Sequence, residues 1–234
     1  MDGNELKHVG VIMDGNRRWA RKNKLQSVLN GHEKGVDKFM EICTWCLDHG
    51  IPYLTVYAFS TENWNRSEAE INGLFAIMER FFTNRLSDCL QRGIRIVVAG
   101  DRSRLNEKQR SIIEQAEEKT RQCSRLLAQI GISYGGRDEL VRAMKKTAAD
   151  IRAGRLTAEK ITEEEISANL DTAGIPMIDM VIRTGGNHRL SNFFIWQSAY
   201  AEIYFTDTLW PDFSEKEFSE FVDDYKTVKI NLGK

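Results

Sequence analysis

The stretch His8-Val-Gly-Val-Ile-Met-Asp-Gly-Asn-Arg-Arg-Trp-Ala20 changes character at its midpoint. His8–Met13 is a short, nearly continuous apolar run, the pattern of a strand buried on both faces of a parallel sheet. Asn16–Ala20, with Arg17 and Arg18, reads as the charged opening of a helix. Between them stands Asp14-Gly15, which alone would be only a turn signal. A strand that feeds a helix through so tight a turn is the opening unit of an α/β fold.

The rest of the chain repeats the alternation. Helical periodicity marks Glu33–His49, Ser67–Gln91, Asn106–Arg121, Gly136–Ala153, Thr162–Leu170 and Ser214–Val228. Strand patterns mark Tyr53–Phe59, Ile94–Ala99, Leu126–Ser133, Asp179–Ile182 and Ala201–Phe205. No repeat or low-complexity linker divides the 234 residues, so residues 1–234 read as a single domain. The expected architecture is a mainly parallel central sheet flanked by helices on both faces.

Composition removes several function classes. A formal net charge of −1 argues against a nucleic-acid binder, which usually carries a basic excess. Residues 1–7 are polar and no apolar run reaches membrane-span length, which predicts a cytoplasmic protein. The spacing Cys43-Thr-Trp-Cys46 resembles a redox or metal pair. It lies inside a helical pattern with Val36, Phe39, Met40 and Leu47, however, and has no second ligand pair, so core packing is the expected role.

Ligands of open α/β sheets gather outside the carboxyl ends of the strands. Here three such ends are polar. The first runs into Asp14–Trp19, the second into Ser60-Thr-Glu-Asn-Trp-Asn-Arg66, and a third into Arg183-Thr-Gly-Gly-Asn-His-Arg189-Leu-Ser191. Arginine forks and exposed backbone amides suit phosphate oxygens. Asp14 would repel a phosphate unless a divalent ion lay between them, and Mg²⁺ favours one or two carboxylates completed by phosphate oxygens. Known nucleotide fingerprints are missing: there is neither G-x-x-x-x-G-K-[ST] nor, after a strand, G-x-G-x-x-G. A phosphohydrolase with an aspartyl nucleophile would commonly have a second acidic group two residues on, where this chain has Asn16. A non-catalytic module on this fold would be expected to have lost the metal and arginine set.

The pattern Ile71, Leu74, Phe75, Met78, Phe81, Phe82 and Leu86 makes one helix apolar over a wider face than a single sheet contact requires. Core packing is one reading and a slot for a greasy substrate is the other. A diphosphate head site beside an apolar slot points toward a prenyl diphosphate.

Several long motifs together resemble one family. H-V-G-V-I-M-D-G-N-R-R-W-A, N-G-H-E-K-G, Y-A-F-S-T-E-N-W-N-R, Y-G-G-R-D-E-L, V-I-R-T-G-G-N-H-R-L-S-N-F, W-Q-S-A-Y-A-E-I-Y-F and L-W-P-D-F follow in the order found in cis-prenyltransferases, specifically the bacterial undecaprenyl diphosphate synthases. The resemblance spans essentially the whole chain. It implies an apolar substrate tunnel and repeated condensation of isopentenyl diphosphate onto farnesyl diphosphate with new cis double bonds. The implied product, undecaprenyl diphosphate, is a lipid-carrier precursor for cell-wall synthesis. Also implied are Mg²⁺ as cofactor, a homodimer, and transient peripheral membrane contact for product release. By the same resemblance Asp14 and Asn63 are catalytic, and Asp14 and Glu202 are Mg²⁺-linked. Gly15, Asn16, Arg17, Arg18, Trp19, His32, Ser60, Glu62, Trp64 and Arg66 would serve the allylic diphosphate. Arg183, Arg189 and Ser191 would bind isopentenyl diphosphate. The D-D-x-x-D cluster of trans-chain synthases is not formed, because Asp223-Asp224 is followed by Thr227. Three positions depart from the family pattern: Val28 where an arginine is usual, Asn187 for the glutamate after R-T-G-G, and Asn231 in place of the arginine of the tail.

Overall fold

The computed structural model describes residues 4–229. Strands β1 (His8–Ile12), β2 (Tyr53–Ser60), β3 (Ile94–Ala99), β4 (Leu126–Tyr134), β5 (Met180–Arg183) and β6 (Glu202–Phe205) form one sheet in the order β3-β4-β2-β1-β5-β6. Every pairing is parallel. Helices α1 (Asn16–Lys22), α2 (Leu29–Asp48), α3 (Glu68–Asn84), α4 (Leu86–Arg92), α5 (Glu107–Thr120), α6 (Gly136–Arg152), α7 (Glu163–Ala168) and α8 (Glu215–Thr227) connect the strands.

All five residues of β1 are buried, as its apolar run predicts for a central strand. From β1 the chain passes outward to β2, while the chain leaving β5 goes the other way, to β6. The two connections diverge at the carboxyl ends of adjacent strands and leave a crevice between them. Register brings Ile12 opposite Arg183, so Asp14 and Arg183 leave the sheet at nearly the same level.

The larger hydrophobic core joins the sheet to α2, α3, α5 and α8, with Phe39, Phe81, Trp210 and Phe218 buried. A smaller one, with Tyr134, Phe193 and Phe194, lies beneath the segment that follows β5. Cys43 and Cys46 are free and buried on α2, and burial raises both thiols well above their ordinary range. Core packing is the role the structure gives them.

Two helix boundaries differ from the sequence pattern. The helix expected over Ser67–Gln91 is broken at Arg85 into α3 and α4. Thr83 and Asn84 are poor helix formers, and the Thr83 hydroxyl donates to the Glu79 carbonyl at 2.9 Å, competing with the ladder. Helix α2 begins four residues earlier than expected. Ser27 Oγ accepts from the Leu29 N–H at 3.1 Å, and Asn30 Oδ1 accepts from the Ser27 N–H at 3.2 Å. His32 therefore sits in the first turn of a helix.

His8 is buried in the sheet, with Nε2 2.7 Å from Thr55 Oγ1 and Nδ1 2.8 Å from the Pro176 carbonyl oxygen. Burial pushes its pKa down from 6.5 to about 4, against the raising effect of the Pro176 contact. Below pH 6.5 the unfolded chain binds a proton that the folded chain refuses until about pH 4. Stability should therefore be complete above 6.5 and fall through that window, by about 1.4 kcal/mol per pH unit from this group. Urea unfolding at pH 7 and pH 5.5 should show the drop, and His8→Gln should remove the His8 share of it, leaving that of His32, whose pKa is lowered in the same way. An equal drop in both proteins would rule out His8 as its source.

Candidate active site

Asp14 is anchored through its backbone. Its N–H donates to the Ile12 carbonyl at 2.9 Å, and its carbonyl accepts from the Trp210 N–H at 3.0 Å and the Thr184 hydroxyl at 2.8 Å. Gly15 follows at φ +116°, where an added Cβ would lie 3.0 Å from Leu209. A side chain is excluded there both by conformation and by space. The turn consequently aims the Asp14 carboxylate into the crevice between β1 and β5.

Three groups hold that carboxylate. Arg18 Nη2 donates to Oδ1 at 3.1 Å, while Arg183 Nη2 and Asn187 Nδ2 donate to Oδ2 at 3.0 and 2.8 Å. Burial pushes the Asp14 pKa up, but the hydrogen bonds from Arg183 and Asn187 and the charges of Arg18 and Arg183 outweigh it. The group stays ionised, below the usual aspartate range.

Two polar cavities meet at Asp14. The larger, about 740 Å³, is lined by Asp14, Glu62, Asn63, Arg183, Arg189 and Ser191. The other, about 370 Å³, is lined by Asp14, Gly15 and Asn16 together with Arg17, Arg18 and Arg21, and reaches His32 and Arg66. A third cavity of about 160 Å³ is apolar, walled by Phe39, Leu74, Met78, Phe81 and Phe82, with Asn16, His32 and Asn63 also on its wall. Met13 and Arg66 line all three.

The cations are held in place. Arg183 is buried, and its Nη1 donates to the Arg189 carbonyl and, at 2.8 Å, to Ser191 Oγ. Arg189 donates to Ser191 Oγ and Asn187 Oδ1, both at 3.1 Å. Across the crevice, Glu70 gathers Arg66 at 3.0 Å and Arg17 at 3.7 Å. Burial and the nearby charges of Arg66 and Arg17 lower the His32 pKa to about 4. At neutral pH the His32 ring of the ligand-free chain is therefore uncharged.

Six buried side-chain polar atoms lack a partner among the described residues, and three of them belong to this site: Asn16 Oδ1, His32 Nε2 and Arg183 Nε. Each unsatisfied group costs roughly 1–3 kcal/mol, so their concentration here marks atoms kept for a ligand. No group of three His, Cys, Asp or Glu side chains among the described residues could hold a metal ion. The single ionised carboxylate of Asp14 fits Mg²⁺ provided that ligand phosphate oxygens complete the coordination.

The structure does not gather all the expected residues. Glu202 opens β6 opposite Met180, three residues and about 10 Å below the level of Arg183. One ion therefore cannot join Glu202 to Asp14 within one chain. The Trp19 indole N–H donates to Asp212 at 2.6 Å, and the Trp64 indole N–H donates to Ser133 at 3.0 Å. Trp64 also packs against Phe59 and Phe75. Neither tryptophan lines the three cavities, and each indole N–H is bonded within the chain. Ser60 and Glu62 line the large cavity beside Arg189 rather than the Arg17–Arg18 side. Val28 carries no charge at the start of α2, while Arg21 supplies a cation to the smaller polar cavity. Asn231 lies outside the described residues. Glu70 was not legible in the sequence, because its role arises only when α1 and α3 approach each other.

Residues 12–233 match a family model described as "Putative undecaprenyl diphosphate synthase". An isoprenyl transferase of Agrobacterium fabrum is 42% identical, over 97% of this chain and 92% of its own. Among solved structures, a probable undecaprenyl diphosphate synthase from Campylobacter jejuni superposes with TM-score 0.83 at 36% identity, covering 99% and 100% of the two chains. Lavandulyl diphosphate synthase from Lavandula x intermedia, in complex with dimethylallyl diphosphate, superposes with TM-score 0.93 at 34% identity, covering 97% and 98%.

The Asn187 amide is a neutral donor to Asp14, whereas a glutamate there would bring a second negative charge. Asn187→Glu should move the Asp14 carboxyl titration, followed by ¹³C-detected NMR, upward from its depressed value. An unchanged midpoint would show that Asn187 does not help hold Asp14 ionised.

Proposed function

The chain belongs to the undecaprenyl diphosphate synthase family of isoprenyl transferases, and from that premise we propose that it condenses isopentenyl diphosphate repeatedly onto farnesyl diphosphate. The product is undecaprenyl diphosphate, a lipid-carrier precursor for the cell wall. The observation that carries this reading is Asp14, shared by two cation-lined cavities beside a third that is apolar.

Arg17, Arg18 and Arg21 bind the allylic diphosphate and stabilise its charge as the allylic carbon–oxygen bond breaks. The likeness to a synthase holding dimethylallyl diphosphate supports a ligand of this class. Asp14 would hold Mg²⁺ together with substrate phosphate oxygens, and the ion supplies further positive charge against the leaving group. Arg183, Arg189 and Ser191 hold the isopentenyl head in the larger cavity, so that two anions are fixed separately and their carbon ends can meet. Asn63 lines both the large polar and the apolar cavity, which supports its assignment beside the reacting carbons. The prenyl tail occupies the apolar cavity and widens it as it grows.

No helix among the described residues is long and apolar enough to cross a membrane. A product as hydrophobic as undecaprenyl diphosphate would bring a cytoplasmic protein into transient contact with the membrane. Exposed Tyr200 and Ile203 at the edge strand β6 support a homodimer.

Incubation with labelled isopentenyl diphosphate, farnesyl diphosphate and Mg²⁺ should give a ladder of products ending near undecaprenyl length by chromatography. A single condensation product would overturn repeated elongation. Asp14→Ala and Asp14→Asn should abolish turnover in folded protein, and near-parental activity in either would refute the role of Asp14. Arg183→Ala and Arg189→Ala should raise the KM for isopentenyl diphosphate, and Arg18→Ala that for the allylic substrate. Each effect should exceed tenfold if a charge-assisted contact of roughly 1.5–3 kcal/mol is lost. Equal effects on both substrates would contradict the division of the crevice.

Leu74, Met78 and Phe82 line the apolar cavity. At least one of Leu74→Trp, Met78→Trp and Phe82→Trp should shorten the ladder while early condensations continue, with folding checked by circular dichroism. Parental ladders from every folded variant would mean that the tail runs elsewhere.

A further inference from the structure

The large polar cavity has on its wall a cation without a role in the reading above. Arg137 lies in the first turn of α6 and lines the same space as Arg183, Arg189 and Ser191. Its backbone is fixed from the far side of the crevice. The Arg137 N–H donates to Asn192 Oδ1 at 2.9 Å, and the Gly136 N–H donates to the Asn192 carbonyl at 2.9 Å. A Cβ on Gly136 would come within 2.7 Å of Ile195, so the start of α6 is pressed against the segment that follows β5. The Asn192 amide also donates to Glu62 at 3.1 Å, and Glu62 lines this cavity too. One residue thus ties the Arg137 backbone to the segment carrying Arg189 and to the turn after β2.

The other cations on this wall already have partners inside the chain. Arg183 is shared with Asp14 and Ser191, Arg189 with Ser191 and Asn187, and Arg66 with Glu70. The Arg137 guanidinium has no ion-pair or hydrogen-bond partner among the described residues, and it is open to solvent on the cavity side. Asp14 and Glu62 oppose an anion in the same space. A diphosphate carries more negative charge than Arg183 and Arg189 can offset while Arg183 also neutralises Asp14. A further free cation at a fixed position answers that imbalance.

We infer that Arg137 is a specificity-determining residue that binds the diphosphate of the incoming isopentenyl unit as a third arginine beside Arg183 and Arg189. The inference rests on the isopentenyl diphosphate reading of the large cavity. Because the side chain is solvent-accessible, its replacement leaves the core intact.

Steady-state kinetics of the full chain with isopentenyl and farnesyl diphosphates separate the outcomes. Arg137→Gln should raise the KM for isopentenyl diphosphate about threefold to tenfold, the range expected for a partly solvated charge contact. The farnesyl KM and kcat should change less than this, Arg137→Lys should recover most of the loss, and Arg152→Gln, a charge change elsewhere on α6, should have no effect. An unchanged isopentenyl KM in Arg137→Gln would overturn the inference, as would an equal rise for both substrates. A parental enzyme that neither binds nor consumes isopentenyl diphosphate would instead overturn the reading of the cavity itself.

Discussion

The contact between Asp14 and Arg183 joins the two strands whose connections diverge, and the site is organised around it. Arg183 is buried, and a buried guanidinium is tolerable only when carboxylate and hydrogen-bond acceptors surround it. Asp14, Ser191 and the Arg189 carbonyl provide those acceptors. The arrangement also works in reverse, because Arg183 keeps the Asp14 carboxylate charged despite its burial. Loss of either partner would leave the other with an uncompensated desolvation cost.

Around that pair the chain separates positive charge into two groups. Arg17, Arg18 and Arg21 come from α1, while Arg183 and Arg189 come from β5 and the segment beyond it. Two anions can then be held close together without sharing the same donors. Unsatisfied atoms of Asn16, His32 and Arg183 remain in the folded chain, and neutral His32 lies where the polar and apolar spaces join. Of these Arg183 Nε is a donor and Asn16 Oδ1 an acceptor, and donors fixed before a ligand arrives require little reorganisation when charge develops. The likeness to both a probable undecaprenyl and a lavandulyl diphosphate synthase shows that proteins with these two different products share the backbone of this chain.

Local chemistry decided the helix boundaries where the periodic pattern could not. The apolar repeat continues through Leu86 and Cys89, so it gives no sign of the break at Arg85. The early start of α2 depends on Ser27 and Asn30, whose side chains cap the helix although the apolar pattern begins later. That extra turn brings His32 to the walls of the apolar and the smaller polar cavities on a helix rather than a loop.

The α/β alternation, the parallel sheet and the concentration of arginines at three strand ends were legible in the residue order, because periodicity marks where each strand stops and the polar residues follow directly. The residue order also placed Asp14, Arg18, Arg183 and Arg189 at strand ends on one rim, where the folded chain brings them around one crevice. Folding alone brings Glu70 to Arg17 and Arg66, the Asn187 amide to Asp14, and the Trp19 and Trp64 indoles to Asp212 and Ser133. It likewise separated Glu202 from Asp14, since strand register sets how far along the sheet two residues lie. The physical reason is common to all of these. Periodicity tells which face of an element is buried, but contact between distant elements depends on register and packing angle, and a single sequence encodes those only through the folded chain.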